Sequence, residues 1–224
     1  MNLYSFYIGW LLKQNPARLF QLLYQQPWYA ELHRQWLTSL PLTEQSSVLE
    51  LGCGPGLLAK DIARYGVWLN AVDYSSAMVQ AAQKENAHTH SIAFTRASGH
   101  QLPYKENCFD VVLAASLVNI IKQPSALVDE VYRVLRPGGT FAFLVPSDAM
   151  HRKNADGFIA TKGFRGFSAS ALRVWCRYSS KFNRERCVEL MATHGFDNIQ
   201  VATGLRGMVY WVTGEKDVKP PADI

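Results

Sequence analysis

A glycine-rich segment that follows an apolar run carries the first recognisable chemistry. In VLELGCGPG, residues 48–56, the acid Glu50 stands among apolar residues. Glycine then recurs at every second position, as Gly52, Gly54 and Gly56. Glycine at a strand-to-helix turn permits positive φ and lets a ligand approach the backbone, and the following helix offers free N–H groups. Asp73, at the end of the next apolar run, is suited to a ribose diol. The pattern predicts a cradle for a small molecule.

Two features of this segment disfavour a dinucleotide as its ligand. The dinucleotide pattern G-x-G-x-x-G requires glycine at position 57, where the chain has Leu57. A pyrophosphate would also make no favourable interaction with the acid Glu50, whereas a cationic ligand would be attracted to it. A nicotinamide-dependent oxidoreductase stays open as a minor alternative, which NAD binding would support.

The elements that must position this cradle follow an alternating pattern. From residue 46, short strands alternate with helices, which is typical of a parallel sheet with right-handed crossovers. Near the end, DNIQVAT and GMVYWVTG are separated only by GLR, and so tight a connection predicts an antiparallel hairpin. We expect an α/β, Rossmann-like fold with a seven-stranded, mostly parallel sheet, an antiparallel C-terminal hairpin and helices on both faces.

The chain divides into two predicted parts. Residues 1–45 contain three prolines and many aromatic residues with helical spacing, and we interpret them as an N-terminal helical cover. Residues 46–224 are interpreted as the ligand-binding domain. Within it, residues 147–180 interrupt the alternation on the carboxyl-end side of the fifth strand, where open α/β sheets bind ligands. We interpret this insert as a substrate lid.

Four segments carry a resemblance to a known family. VLELGCGPG, AVDYSSAMV, LPYKENCFDVVLAAS and RVLRPGG occur in this order along residues 46–146. Together they resemble the class I S-adenosylmethionine-dependent methyltransferases of the ubiquinone/menaquinone-biosynthesis-like (methyltransferase type 11) group. The resemblance implies methyl transfer from S-adenosyl-L-methionine, with S-adenosyl-L-homocysteine as the product.

The resemblance also implies roles for the residues around the cofactor. Glu50 would orient the glycine loop and the ammonium end of the methionine moiety, and Asp73 would accept hydrogen bonds from both ribose hydroxyls. The glycines that would let the ligand lie against the backbone are Gly52, Gly54 and Gly56. Ala115, Ser116 and Leu117 would line the methionine and sulfonium portion.

The adenine end of the implied site departs from the family at one position. Tyr74 and Met78 would cover one face of the adenine, and the backbone of Gly99 would meet its edge. Ser98 stands where relatives often have an acid, and its hydroxyl accepts a weaker hydrogen bond than a carboxylate does. The neighbouring His100 would compensate for this loss.

Candidates for a catalytic role are few. Methyl transfer is an in-line displacement that mainly requires positioning and exclusion of water. Asn119 aligns where relatives often have histidine; its amide can orient a substrate but cannot act as a base. His151, just after the fifth strand, is the candidate base. We interpret four other histidines as surface or helix positions, namely His33, His88, His90 and His194.

Cysteine usage and charge set further bounds. The four cysteines form no C-x-x-C pair, so neither a metal site nor a disulfide framework is predicted, and a reduced, cytoplasmic setting fits best. The net charge is +5, with the basic excess between residues 152 and 186. This excess is a solvated face, or it attracts an anionic substrate, a membrane surface or RNA.

Several hypotheses about partners remain. The aromatic N-terminal helices and the basic insert suggest a small, largely apolar or aromatic acceptor carrying a negative group, and a peripheral membrane contact through the aromatic helices. Nucleic acid is not expected, because we find no appended RNA-binding motif. A non-catalytic methyltransferase-fold binder or partner subunit is the alternative function, since the base is unconvincing. The acceptor and the oligomeric state are not predicted.

Overall fold

The computed structural model describes residues 3–218, so the ends of the two predicted parts, residues 1–2 and 219–224, lie outside the described residues. A single sheet of seven strands forms the centre, in the order β3-β2-β1-β4-β5-β7-β6. The strands are β1 (Ser47–Leu51), β2 (Trp68–Asp73), β3 (Ile92–Arg96), β4 (Phe109–Ala115), β5 (Leu135–Pro146), β6 (Phe196–Gly204) and β7 (Val209–Lys216).

Helices precede the sheet and connect its strands. Three come before β1, namely α1 (Leu3–Gln14), α2 (Pro16–Tyr24) and α3 (Pro27–Thr38). The crossover helices are α4 (Leu57–Ala63), α5 (Ser76–Glu85) and α6 (Pro124–Val134), and those between β5 and β6 are α7 (Arg152–Lys162), α8 (Gly166–Tyr178) and α9 (Arg184–Ala192). Proline at the first turn suits α2, α3 and α6, because that position needs no N–H donor.

Strand directions confirm the predicted sheet. The strands β1 to β5 pair in parallel, whereas β7 pairs antiparallel with both β5 and β6. The chain leaves β1 toward β2 on one side and later returns to β4 on the other, so the strand order reverses between β1 and β4. Open α/β sheets bind ligands at the carboxyl ends of the strands at such a reversal.

The alternation of side chains along β1 sorts the core into two layers. Val48 packs into the layer that includes α1, α3, α4 and α8, while Leu49 and Leu51 pack into the layer beneath α6 and α9. Burial of one such aliphatic side chain contributes about 1.5–3 kcal/mol. Glu50 lies between Leu49 and Leu51 and therefore points to the same side as Val48.

The insert of residues 147–180 contains the helices α7 and α8, and α8 packs on the N-terminal helices. The indole rings of Trp28 in α3 and Trp175 in α8 stack with centroids 6.0 Å apart. Trp28 Nε1 also donates a hydrogen bond to Ser168 Oγ at 2.9 Å. Helix α8 contacts α1 as well, so the predicted cover and the predicted lid form one helical layer.

The RPGG segment, residues 136–139, interrupts the regular pairing of β5 with β4. In β4, Phe109 pairs with Leu135 and Val111 pairs with Thr140. Only Asp110 of β4 therefore lies opposite residues 136–139, and these four residues bulge out of β5. The buried Lys216 side chain lies at the start of this bulge. Its ammonium donates hydrogen bonds to Asn107 Oδ1 at 2.8 Å, Tyr132 O at 2.7 Å and Leu135 O at 2.8 Å.

Lys216→Met is expected to destabilise the fold by about 1–3 kcal/mol, because buried acceptors lose a charged donor. Urea denaturation of both proteins measures the loss. Lys60→Met is the matched control, since Lys60 is exposed and makes only a 3.7 Å contact with Glu85, and we expect its stability to change by less than about 0.5 kcal/mol. Equal effects of the two substitutions would contradict the role given to Lys216.

Candidate ligand-binding site at the strand carboxyl ends

A cavity of about 560 Å³ lies at the carboxyl ends of β1, β2 and β4. This volume is within the range of roughly 300–1,000 Å³ that is typical of small-molecule sites. Of the predicted cofactor-binding residues, those lining it are Glu50, Gly52, Gly54, Asp73, Tyr74, Met78, Ser98, Gly99, His100, Ala115, Ser116 and Leu117. The structure therefore brings twelve of the thirteen together.

The glycine loop is shaped by hydrogen bonds to the end of β2. Gly52 N and Cys53 N both donate to Val72 O, at 2.8 and 3.0 Å. Gly52 and Gly54 adopt φ of +68° and +51°, which favours glycine over other residues. A Cβ added at Gly54 would meet no atom within 4 Å, so at this point the backbone borders open space that a ligand can enter.

Gly56 is the predicted residue that does not line the cavity. Its φ is +77°, and a Cβ there would come within 2.9 Å of Ala82 Cβ and 2.7 Å of Asn86 Nδ2 in and after α5. The Asn86 side chain also donates a hydrogen bond to Gly56 O at 3.0 Å. Glycine at this position therefore permits close packing of the loop on α5, which is a structural role.

Glu50 is a buried acid without a complete set of partners. Its side chain is 2% exposed, and among the described residues no donor reaches its Oε2. Burial, and secondarily the negative charge of Asp73, raise the pKa of Glu50 well above its ordinary value. A buried carboxylate without a partner is unfavourable, so the site is suited to a cationic group that would complete it.

Asp73 joins the glycine loop to the start of α5. Its Oδ2 accepts a hydrogen bond from Gly54 N at 2.9 Å, and its Oδ1 accepts one from Ser75 N at 2.8 Å. Two backbone donors thus fix the orientation of the carboxylate. Because each carboxylate oxygen can accept a second hydrogen bond, Asp73 can still receive two ligand hydroxyls.

The predicted adenine end lies between β2, β3 and α6. Met78 is buried, whereas the Tyr74 ring is exposed and has the Arg96 guanidinium 5.9 Å from its centroid. Ser98 Oγ accepts a hydrogen bond from His100 N at 3.2 Å. The His100 ring contacts Gln123 O through Nε2 at 3.1 Å, which holds it toward α6.

The segment after β4 has an unusual backbone. Ser116 adopts φ of +54°, which is uncommon for a residue with a side chain, and its N–H donates to Leu144 O at 2.8 Å. Such conformations cluster at ligand sites because the surrounding structure must hold them in place. Ala115 and Leu117 flank Ser116, and all three line the cavity.

Sequence reasoning missed the wall that α2 and α3 contribute. Phe20 and Tyr24 lie four residues apart on α2, and Tyr29 and His33 lie four residues apart on α3, so each pair shares a helix face. All four line the cavity. His33 was interpreted as a surface or helix position, and it is helical but only 2% exposed. The four-residue spacing of the rings within each helix was the sequence feature that could have indicated a shared aromatic face.

The two predicted catalytic residues lie outside the cavity lining. His151 is exposed at the start of α7. Asn119 is buried, and its Oδ1 has no hydrogen-bond partner in the part of the chain that the structure describes. Residues 147–180, interpreted as a lid, also contribute no lining residue, because α2 and α3 stand at that side of the cavity.

The cavity lining has acidic side chains but no lysine or arginine. The acids are Glu50 and Asp73. The basic residues between 152 and 186 therefore lie elsewhere. Within residues 3–218, no three potential ligands among histidine, cysteine, aspartate and glutamate cluster as a metal site would require, and no helix is long and apolar enough to cross a membrane.

Comparison with known proteins agrees with this architecture. Residues 49–143 match the family described as methyltransferase domain. Malonyl-[acyl-carrier protein] O-methyltransferase of Enterobacter lignolyticus is 32% identical over 124 residues, covering 54% of this chain and 47% of that protein. Demethylmenaquinone methyltransferase of Clavibacter sepedonicus is 28% identical over 112 residues, covering 49% and 46%. The match spans less than half the length of each of these relatives.

A solved structure extends the likeness to most of the chain. The S-adenosylmethionine-dependent methyltransferase from Aquifex aeolicus superposes with a TM-score of 0.68 at 15% identity, covering 91% of this chain and 99% of that one. At this identity the likeness concerns the fold alone. Residues 49–143 thus match a methyltransferase domain, and the chain has a Rossmann-like fold similar to that of this S-adenosylmethionine-dependent methyltransferase.

Proposed function

We propose that the protein binds S-adenosyl-L-methionine in this cavity and transfers its methyl group to a small, largely apolar or aromatic acceptor. The buried carboxylate of Glu50 carries the proposal, because one of its oxygens has no partner among residues 3–218 and borders the glycine loop. A cationic ligand supplies the missing partner. A dinucleotide, whose phosphates are anionic, would be repelled by the same group.

The residues present fit this ligand at four points. Glu50 would hold the ammonium group, and the open space at Gly54 would admit the ligand against the backbone. Asp73, already oriented by two backbone donors, would accept hydrogen bonds from the ribose hydroxyls. Ser98 and His100 would meet the adenine edge.

The chemistry follows from what the ligand supplies and what the chain does. S-adenosyl-L-methionine supplies a methyl group on a positively charged sulfur, which a nucleophile can displace in line. The chain has to hold the nucleophile near attack distance and exclude water. The aromatic side chains of α2 and α3 line one side of the cavity. They would hold the nucleophile there and exclude water from the reaction.

Asp73→Ala is expected to weaken binding of S-adenosyl-L-homocysteine by about 100-fold, because loss of two hydrogen bonds to a carboxylate costs about 3 kcal/mol. Isothermal titration calorimetry measures this change, with NAD titrated in parallel. Asp129→Ala is the control, since that side chain is 72% exposed on α6. Equal affinities of Asp73→Ala and wild type, or tight NAD binding, would contradict the proposal.

Glu50→Gln is expected to have opposite effects on binding and stability. The folded-state pKa of Glu50 is raised, so its ionisation opposes folding as pH rises above the ordinary value of 4.5, and the substitution should raise the free energy of unfolding at neutral pH. Well below pH 4.5 the difference should vanish. The same substitution should weaken ligand binding roughly tenfold to 100-fold, because the charged partner is lost.

Urea denaturation at two pH values and calorimetry measure these two effects. Glu44→Gln, at an exposed position before β1, is the control and should change neither quantity. A Glu50→Gln protein that is less stable than wild type at neutral pH would show that the carboxylate has protein partners that satisfy it.

A second candidate function rests on the positions of His151 and Asn119. Because neither lines the cavity, the chain could bind the ligand without consuming it and act as a partner subunit. Incubation of the protein with methyl-labelled donor and a broad pool of acceptors distinguishes the two functions. Labelled product supports methyl transfer, whereas donor binding without any product supports the binding subunit.

A further inference from the structure

We propose that the aromatic wall formed by α2 and α3 is the acceptor subsite, and that His33 Nε2 accepts a hydrogen bond from an uncharged hydroxyl or amine on an aromatic acceptor. This inference rests on the proposed function, whose acceptor it assigns to a chemical class. It also replaces His151 as the candidate group that contacts the nucleophile.

The wall consists of rings packed against one another. The His33 ring lies 4.4 Å from the Tyr29 ring and 5.6 Å from the Tyr24 ring, measured between centroids. Tyr24 and Tyr29 meet edge to face at 6.0 Å, and Phe20 completes the wall. Flat, apolar faces of this kind bind aromatic molecules by stacking and edge contacts.

The hydrogen bonds of the wall leave the acceptor nitrogen of the His33 ring free. The Tyr24 hydroxyl donates to Asp61 Oδ2 at 2.5 Å, so its proton is already engaged. His33 Nδ1 lies 2.8 Å from Tyr29 O, and because a carbonyl only accepts, Nδ1 carries the proton. The lone pair of the ring is then on Nε2, which has no hydrogen-bond partner among the residues that the structure describes.

The environment of His33 keeps the ring neutral. Burial lowers the pKa of His33 to about 4, against a smaller opposing effect of its hydrogen bond to Tyr29 and of the Asp61 charge. A neutral imidazole at physiological pH presents Nε2 as an acceptor. A ligand that brings an O–H or N–H donor would satisfy it.

The charge of the cavity restricts the acceptor further. Glu50 and Asp73 line it without any lysine or arginine, so a carboxylate on the acceptor would be repelled by the two acids and would find no cationic side chain. The acceptor should therefore be uncharged inside the cavity. This differs from the acceptor with a negative group that the basic insert suggested.

The proposed transfer is an in-line displacement at the methyl carbon. The oxygen or nitrogen of the acceptor forms a bond to the methyl carbon while the carbon–sulfur bond breaks, and the sulfur keeps the electron pair and becomes a neutral thioether. The proton of the O–H or N–H group passes to His33 Nε2 and then to water. The negative charge of Asp61 favours the transient imidazolium.

Three compounds that share one ring system test the ligand class. We expect 1-naphthol and 1-naphthylamine to bind the complex of the protein with S-adenosyl-L-homocysteine, and 1-naphthoate to bind at least about tenfold more weakly. Calorimetry measures the affinities, and ¹⁵N NMR of labelled histidine follows Nε2 of His33 on addition of 1-naphthol. We expect that resonance to shift. Naphthoate binding as tight as naphthol binding would overturn the inference.

Two substitutions of His33 separate the hydrogen bond from the shape of the wall. Asparagine can keep a donor near the position of Nδ1 but offers no acceptor at Nε2, whereas the longer glutamine places an amide oxygen there. We expect His33→Asn to weaken 1-naphthol binding at least about tenfold and His33→Gln to recover part of the loss. Unchanged naphthol binding by His33→Asn would overturn the inference.

Failure of the inference and failure of the proposed function are distinguishable. S-adenosyl-L-homocysteine binding should be unaffected by either His33 substitution, because His33 belongs to the acceptor side. A wild-type protein that binds no S-adenosyl-L-homocysteine contradicts the proposed function, whereas one that binds it but shows no difference between the naphthyl compounds contradicts only the acceptor subsite.

A separate observation concerns α1. We infer that its exposed face docks on a membrane surface that contains anionic lipids. Ile8 and Leu11 are its buried residues, and α1 packs on α8. Its exposed apolar side chains, some more than half exposed, are Leu3, Tyr4, Phe6, Tyr7, Trp10 and Leu12. Aromatic side chains of this kind favour the membrane–water interface.

The basic residues around α1 favour anionic lipids over neutral ones. The helices α1, α2 and α8 contain no acidic residue. Exposed cations lie on or next to all three, namely Lys13, Arg18, Arg165 and Arg177. Arg165 precedes Gly166, where a Cβ would lie 3.4 Å from the Tyr4 ring, so this cation is close to the aromatic face. An apolar face with a basic margin is complementary to an anionic bilayer.

Vesicle flotation tests this docking surface. We expect the protein to float with vesicles of phosphatidylcholine and phosphatidylserine and to be released by high salt, and to bind phosphatidylcholine alone more weakly. The double substitution Phe6→Ser, Trp10→Ser should abolish flotation. Trp68→Ser is the control, since Trp68 is 69% exposed on β2. Absence of wild-type flotation, or dimerisation that the double substitution removes, would overturn the inference in favour of a protein partner.

Discussion

The burial of one carboxylate in the centre of the sheet governs how this protein can work. Glu50 lies on β1, with β2 on one side and β4 on the other, where its backbone pairs with Ala71 and Leu113. The sheet therefore holds the carboxylate rigidly at the point where the strand order reverses. A charge in that position is unfavourable until a ligand satisfies it. The buried carboxylate therefore lowers the stability of the ligand-free protein, and binding of a cationic ligand would restore it.

The rest of the cradle is arranged around that acid by backbone hydrogen bonds. Val72 O receives two N–H groups of the glycine loop, and Asp73 receives one from the loop and one from the start of α5. Strand ends, loop and helix start are thus joined without bulky side chains. This leaves space for a ligand to contact main-chain atoms directly, and it explains why small residues occur where the backbone approaches the cavity.

The proposed acceptor side is built differently from the proposed cofactor side. Two short helices supply rings rather than backbone groups, and α8 supports them from behind through the stacked Trp28 and Trp175. The insert after β5 thus acts through the N-terminal helices and not as a wall of its own. This arrangement places an aromatic surface with one free imidazole nitrogen opposite a cradle that is polar and negatively charged.

Local sequence patterns were enough for the sheet and for the cradle. Alternating apolar strands, glycines at a strand-to-helix turn and an acid at the next strand end are short-range features whose spatial relation follows from the chirality of parallel crossovers. They predicted the mostly parallel sheet, the final hairpin, the glycine loop with Glu50, and Asp73. The remaining predicted residues of the cavity lining were implied by the resemblance to a methyltransferase family. Gly56 was placed in the loop correctly, but the packing of α5 gives it a structural role.

Only the tertiary structure decided what closes the cavity. His33 is separated from Glu50 by a turn, a proline and the start of β1, and nothing in its sequence neighbours shows which way α3 lies against the sheet. That orientation depends on contacts with α4 and, through Trp28, with α8, both of which lie outside the sequence neighbourhood of His33. Sequence alone therefore determined the chemical groups of the glycine loop and of Asp73, whereas long-range helix packing decided that His33 lines the cavity and that His151 does not.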